Sequence, residues 1–158
     1  KQVDPLVLNL DNTPVAFSGT QDFDVNADGV AETVARLDAG HAYLALDRNG
    51  NGAIDDGSEL FGPATGNGFA ELRAQDSDGN GWIDEGDTAF SQLKLWSPVH
   101  DTLTSLAAAG VGAIALQSVS TPFSVTAAGQ TQGTVARTGV YLREDGGVGT
   151  VQHVDLTV

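Results

Sequence analysis

The chain has 158 residues, 7 of them Lys or Arg and 21 Asp or Glu, for a formal charge of −14, with no Cys and no Met. That length fits one domain, or one domain with an appended subdomain, and an apolar fraction of 41% argues against a disordered acidic tail. The charge opposes nucleic acid and anionic membrane, the missing Cys excludes disulfides and thiolate metal sites, and the missing Met is expected of a module belonging to something longer.

Taken in chain order, Pro5–Leu10 (PLVLNL) is expected to alternate as a strand, with a turn at Asp11–Pro14. Ala42–Leu46 is a second short apolar run, and Gly62–Gly68 a Gly/Pro loop leading to about two turns of helix over Phe69–Gln75. Phe90, Leu93 and Trp96 stand three residues apart, which predicts a helix over Asp87–Trp96 capped by Asp87. Another helix is predicted over Thr104–Ala109, stopped by Gly110. Strands follow at Ala113–Val119, Phe123–Ala127, Thr134–Thr138, Val140–Arg143 and Thr150–Val158, with Asp145-Gly146-Gly147 as a hairpin turn. The Ala- and Gly-rich run around Leu106–Leu116 is too short to span a bilayer, and no basic segment followed by an apolar one opens the chain. The sum is an α+β fold in a single module of residues 1–158. Its acidic loop-and-helix half, residues 22–96, carries EF-hand-like calcium loops and packs on an antiparallel β half, residues 111–158.

The acidity is concentrated. Residues 22–87 hold 15 of the 21 carboxylates against only Arg36, Arg48 and Arg73, together with 11 of the 20 glycines. Such a block repels itself unless a cation sits inside it, and three segments have the spacing to hold one. Asp76, Asp78, Asn80, Asp84 and Asp87 occupy positions 1, 3, 5, 9 and 12 of a calcium loop, with Gly81 at the sharp turn and the Trp82 carbonyl at position 7. Asp87 is one methylene shorter than the usual Glu. Asp47, Asn49, Asn51, Ala53 and Asp55 repeat the pattern, but Glu59 falls one residue late, so the loop must bulge or Asp56 must take part. Asp24, Asn26, Asp28, Val30 and Glu32 fit through position 9, after which Asp38 or Asp22 would have to close the loop. For the Asp76 loop the plainer alternative is an acidic surface turn, and for the Asp24 segment an Asx-rich turn. Hard oxygen donors without Cys or paired His favour Ca²⁺, two to three ions, over zinc or copper.

Other chemistry is sparse. His41, His100 and His153 have no ligand spacing and are expected to be structural or solvent-facing, and Trp82 and Trp96 to be core. Asp4-Pro5 is the one potentially reactive bond. An Asp carboxylate can attack its own carbonyl carbon, close a five-membered anhydride and expel the proline nitrogen, a tertiary amide that leaves readily once protonated.

Asp4-Pro-Leu-Val-Leu-Asn-Leu-Asp11, Phe23-Asp24-Val-Asn-Ala-Asp28-Gly29 and the block Leu46–Gly62 resemble the self-processing module of FrpC-like RTX proteins. The Asp76 loop, Phe90, Leu93–Trp96 and Leu103–Val111 continue the resemblance in order, and the C-terminal strands follow it loosely. The resemblance implies calcium-triggered autocatalytic cleavage at Asp4–Pro5, with the new Asp end able to form an isopeptide with a Lys amine. It further implies a secreted or cell-surface bacterial protein. Two segments depart from the pattern: Asn9–Pro14 replaces an acidic loop, and Ser97-Pro98-Val99-His100-Asp101 replaces another. The partners expected are therefore calcium and a protein Lys amine as ligation acceptor, with no nucleic acid, no membrane insertion and a monomeric module. The rival expectation is a calcium-stabilised structural or interaction module that has lost the chemistry. A dockerin-like domain is the third, against which the β half counts.

Overall fold

The computed structural model describes residues 2–127 and 129–157, so Val158, the expected end of the last strand, lies outside the described residues. The elements are β1 (Gln2–Val3), β2 (Leu6–Asn9), β3 (Phe17–Phe23), β4 (Glu32–Leu37), β5 (His41–Leu46), α1 (Gly68–Arg73), β6 (Trp82–Asp84), β7 (Leu93–Ser97), β8 (Thr102–Ser105), β9 (Val111–Ala115), β10 (Val119–Ala127), β11 (Gln130–Arg143) and β12 (Val148–Thr157). Ten strands share one antiparallel sheet in the order β6-β9-β11-β12-β2-β5-β7-β8, with β1 also on β12 and β10 also on β11. β3 and β4 form a separate two-stranded ribbon.

The expected α+β architecture is corrected to a nearly all-β one. Among the described residues the only helical elements are the six-residue α1 and a 3₁₀ turn at Gly57–Glu59. Where a helix is expected over Asp87–Trp96 the chain makes turns and then strand β7, and over Thr104–Ala109 it runs from the end of β8, the hairpin partner of β7, into turns. Leu93 and Leu95 of β7 belong to one apolar cluster and Trp96 to another, a period of two rather than of a helix. Asp87 cannot cap a helix because its carboxylate is taken up by the loop before it. With one short helix upstream of the Asp76 loop and strands beside the others, the helix–loop–helix of an EF-hand is absent among the described residues.

The central strands are buried on both faces. Leu6 and Leu8 of β2 and Ala42 and Leu44 of β5 enter the cluster that also holds Phe61, Phe69, Leu72 and Tyr141. Val7, Tyr43 and Ala45 enter the opposite one with Phe23, Val34, Leu37, Ile54 and Trp96. The apolar–polar alternation expected in Pro5–Leu10 is thus a continuous apolar run, as a doubly covered strand requires. The β3–β4 ribbon and Leu60 cover one face, and α1 with Phe61 the other. Full burial of each β2 side chain is worth roughly 1.5–3 kcal/mol, which pins the chain beside Asp4 and Pro5. The strands expected at Thr134–Thr138 and Val140–Arg143 are one 14-residue strand, and the Asp145-Gly146-Gly147 turn joins it to β12 as expected.

Candidate functional site

The three acidic segments are built alike. The first carboxylate of each accepts from two or three backbone N–H groups further along: Asp24 from Asp28 and Gly29 at 3.0 and 2.8 Å, Asp47 from Gly50, Asn51 and Gly52 at 2.9, 3.2 and 2.7 Å, Asp76 from Gly79 and Gly81 at 3.1 and 3.0 Å. The third positions, Asn26, Asn49 and Asp78, accept from the backbone of the fifth. The fifth, Asp28, Asn51 and Asn80, accept from the backbone of the seventh, Val30, Ala53 and Trp82. These are nested Asx turns, the local reason such sequences leave helix and strand. The ninth positions are drawn in as well. Asn26 donates to Glu32, Asn49 and Asn51 both donate to Asp55, and Asn80 donates to Asp84, all between 2.7 and 2.8 Å.

The closing carboxylates show how unequal spacings reach one geometry. Glu59 accepts from Arg48 N–H at 3.0 Å and Asp55 N–H at 2.8 Å; Asp87 accepts from Ser77 N–H at 2.8 Å and Asp84 N–H at 2.9 Å. Both are almost fully buried, at 3% and 4% exposure. The 3₁₀ turn Gly57–Glu59 absorbs the extra residue of the Asp47 loop, and Asp56 caps that turn through Ser58 N–H instead of joining the loop. In the Asp24 loop Glu32 itself reaches back to Val25 N–H at 3.2 Å. Asp22 and Asp38, the alternative closing ligands, are engaged elsewhere: Asp22 accepts from the Thr33 hydroxyl and Asp38 pairs with His41.

Carboxylate oxygens gather within 4.8 Å of one another in Asp24, Asp28 and Glu32 and in Asp76, Asp78 and Asp87. In the second set desolvation, a hydrogen bond shared with Asp76, and the charges of Asp87 and Asp84 push Asp78 above the usual carboxylate range. Asp76 is desolvated too, but the N–H groups of Gly81, Asn80 and Gly79 and the bond to Asp78 hold it below that range. A donor set of carboxylate and amide oxygens, with no sulfur or imidazole in it, fits a hard cation. The first two loops also touch: Gly57 N–H donates to Asp24 C=O at 2.8 Å, and a β-carbon on Gly57 would stand 1.7 Å from the Val25 carbonyl oxygen.

The Asp4–Pro5 bond lies between β1 and β2, both of which pair with β12. Val3 faces Leu156 and Leu6 faces His153, so the register runs through the gap unchanged and places Asp4 opposite Asp155 and Pro5 opposite Val154. Pro5 has no N–H to give the ladder, which interrupts the strand there, while Val154 N–H still donates to Pro5 C=O at 3.1 Å. Pro5 is buried and Asp4 half-buried. The Gly62–Gly68 loop closes over the bond: Leu6 N–H donates to Phe61 C=O at 2.9 Å, and a β-carbon on Gly66 would touch the Asp4 carboxyl at 3.3 Å. His153 Nε2 lies 3.6 Å from Asp4 Oδ2 and 2.9 Å from Asp155 Oδ1. Burial first, then the hydrogen bond and the charge of Asp155, push the Asp4 carboxyl up to about 7.

Sequence reasoning missed His153, Asp155, Gly62 and Gly66. His153 is 7% exposed beside Asp4, and only the polar pair His153 and Asp155 at alternate positions of an apolar strand signals it. His41, bonded to Asp38 and the Thr13 carbonyl, is structural as expected, and His100 is exposed. Trp96 packs on Phe23 and Tyr43 with ring centroids 4.9 and 5.7 Å apart, whereas Trp82 is only half-buried. In the divergent segment after β2, Asn9 accepts from Asn12 N–H at 2.8 Å and Asp11 from Thr13 N–H at 3.0 Å, so side chains close that turn.

The chain is 32% identical over 111 residues to the "Iron-regulated protein FrpA" of Neisseria meningitidis serogroup C, an overlap of 61% of this chain and 10% of that protein. The chain therefore spans about a tenth of the relative it matches. The family model described as the SPM domain matches residues 6–157, nearly the whole chain, and the chain belongs to the SPM domain family.

Proposed function

We propose that this chain is a calcium-triggered self-cleaving module that cuts its own Asp4–Pro5 bond. The observation that carries the reading is the short path between loop and bond. Glu59 closes the Asp47 loop, and Leu60, Phe61 and Gly62 follow it directly onto Asp4 and Leu6. Leu60 and Phe61 are both buried, so this path is stiff. The residues that would hold the ions are those of the three loops: Asp24, Asn26, Asp28, Val30 and Glu32; Asp47, Asn49, Asn51, Ala53, Asp55 and Glu59; Asp76, Asp78, Asn80, Trp82, Asp84 and Asp87. Calcium, when bound, supplies the positive charge that lets these carboxylates stay close together.

The chain's own residues then perform the scission. Gly62 and Phe61 hold the Asp4–Pro5 segment against β12. One Asp4 carboxylate oxygen attacks the Asp4 carbonyl carbon, the C–N bond to Pro5 breaks, and the proline nitrogen leaves protonated. The anhydride left on Asp4 is captured by water or, in ligation, by a Lys amine of another protein. The parent would be a secreted or cell-surface bacterial protein, a reading supported by the resemblance to RTX modules. No helix among the described residues is long and apolar enough to cross a membrane.

A tag fused upstream of Lys1 gives the test. In millimolar Ca²⁺ the mass is expected to fall by the tag plus residues 1–4, with no change in EDTA or in Asp4→Ala. An intact mass after a day, with calcium bound as shown by calorimetry, sinks the processing reading. It leaves the non-catalytic calcium-stabilised module, which the self-closed turn after β2 favours.

A further inference from the structure

Asp155 lies directly across the sheet from Asp4, in a register continuous from Val3–Leu156 to Leu6–His153. Carboxylates directly opposite one another destabilise a strand pair unless they share a proton or a cation, and here carboxylate oxygens of Asp4 and Asp155 lie within 4.8 Å of each other and of a His153 ring nitrogen. His153, two residues earlier on the same strand and so on the same face, bonds Asp155 Oδ1 through Nε2 at 2.9 Å. Its Nδ1 is buried without a hydrogen-bond partner among the described residues. The ring borders a cleft of about 500 Å³ lined also by Gly66, Asn67, Arg73, Ser118 and Arg137. Arg137, opposite His153 on β11, is held by Ser118, and Arg73 of α1 by the Leu116 carbonyl; with Asp155 and His153 they are the titratable and charged groups around Asp4 among the described residues.

From this arrangement we propose that Asp155 is a catalytic residue of Asp4–Pro5 scission, moving the Asp4 carboxyl proton to the Pro5 nitrogen, and that His153 positions it. The proposal rests on the self-cleaving reading above. Its balance is complete within the chain. The Asp4 carboxyl gives its proton to Asp155, and the freed Asp4 oxygen forms a bond to the Asp4 carbonyl carbon. The C–N bond breaks with its electron pair going to nitrogen, and Asp155 returns the proton there. The products are a cyclic anhydride and a prolyl secondary amine. A carboxyl kept protonated is a poor nucleophile, and an unprotonated amide nitrogen a poor leaving group, so one shuttle answers both needs.

The test uses the tagged chain in Ca²⁺, following first-order loss of the tag from pH 5 to 9 for wild type, Asp155→Asn, Asp155→Glu and His153→Gln. Asp155→Asn is expected to slow cleavage by about 10²-fold or more, the usual yield of a positioned acid–base group, while keeping the calcium-induced rise in melting temperature. Asp155→Glu recovers part of the rate, and His153→Gln displaces the pH–rate profile. Cleavage by Asp155→Asn within about threefold of wild type, with the same profile, overturns the shuttle and leaves self-cleavage standing. If Asp155→Asn does not fold, an unmoved His153→Gln profile overturns it instead. An inert wild type removes the self-cleaving reading and the shuttle together.

Discussion

Gly62 and the carbonyl oxygen of Asp4 are packed so closely that a β-carbon on Gly62 would stand 1.7 Å from that oxygen, and Gly62 holds φ at +125°. Both facts forbid any other residue there: the backbone conformation disfavours a side chain, and the neighbour in the way is backbone that cannot step aside. Gly62→Ala is therefore expected to lose more than about 2 kcal/mol of stability to strain alone, read by urea unfolding in EDTA. It should also abolish tag loss in Ca²⁺. A stability loss under about 0.5 kcal/mol would mean that the loop does not clamp the bond.

The elevated Asp4 carboxyl makes stability fall with rising pH. In the folded chain the group stays protonated up to about 7, whereas unfolded it ionises near 4. Between those values the folded state holds the extra proton. The contribution is thus fully present below about pH 4 and lost as pH climbs through 7. Asp4→Asn removes this dependence. In EDTA, its melting temperature should match wild type at pH 4 and exceed it at pH 8 by on the order of 3 °C, the shift that roughly 1 kcal/mol gives a domain of this size. Parallel curves across that range would contradict the shared proton.

Glu59 and Asp56 are neighbours in sequence with separate work. Glu59→Gln replaces one of two charged acceptors with an NH₂ group facing a backbone N–H, and should cost about 1–3 kcal/mol even without metal. Asp56→Asn alters only the cap on Ser58 and should cost less than about 1 kcal/mol. Calorimetric titration should show calcium affinity falling in the first variant and holding in the second. Equal losses would return Asp56 to the loop.

Calcium removal should be visible in one tryptophan. With Trp96→Phe leaving Trp82 alone in the Asp76 loop, Ca²⁺ is expected to change the emission in proportion to filling of that loop, and Asp76→Asn to suppress the change. Two sites at a hundred times their dissociation constant add about 2.7 kcal/mol each, so the melting temperature should rise by more than about 10 °C. A melting temperature indifferent to EDTA would refute the loop assignment.

The loops were legible in the sequence because Asx turns are local: Asp, Asn and Gly at fixed offsets dictate the N–H contacts of Asp24, Asp47 and Asp76 without help from the rest of the chain. The β11–β12 hairpin was legible for the same reason, its Asp145-Gly146-Gly147 turn being short-range, whereas the strand expected over Ala113–Val119 is broken between β9 and β10. The helix expected over Asp87–Trp96 failed because Phe90, Leu93 and Trp96 suit a helical face, yet Leu93, Leu95 and Trp96 also suit a strand buried on two sides. Pairing with β5 and β8 decided between them, and that pairing is tertiary. The neighbours of Asp4 were illegible because they come from β12 and the Gly62–Gly68 loop, far along the chain, and nothing in a single sequence ties Asp155 to Asp4.

That separation has a consequence for biosynthesis. The surroundings of Asp4 are completed only when β12 pairs with β1 and β2, so a growing chain on the ribosome exposes Asp4–Pro5 long before the strand that flanks it has been made. On the self-cleaving reading, the order of translation would delay the cut until β12 has been made.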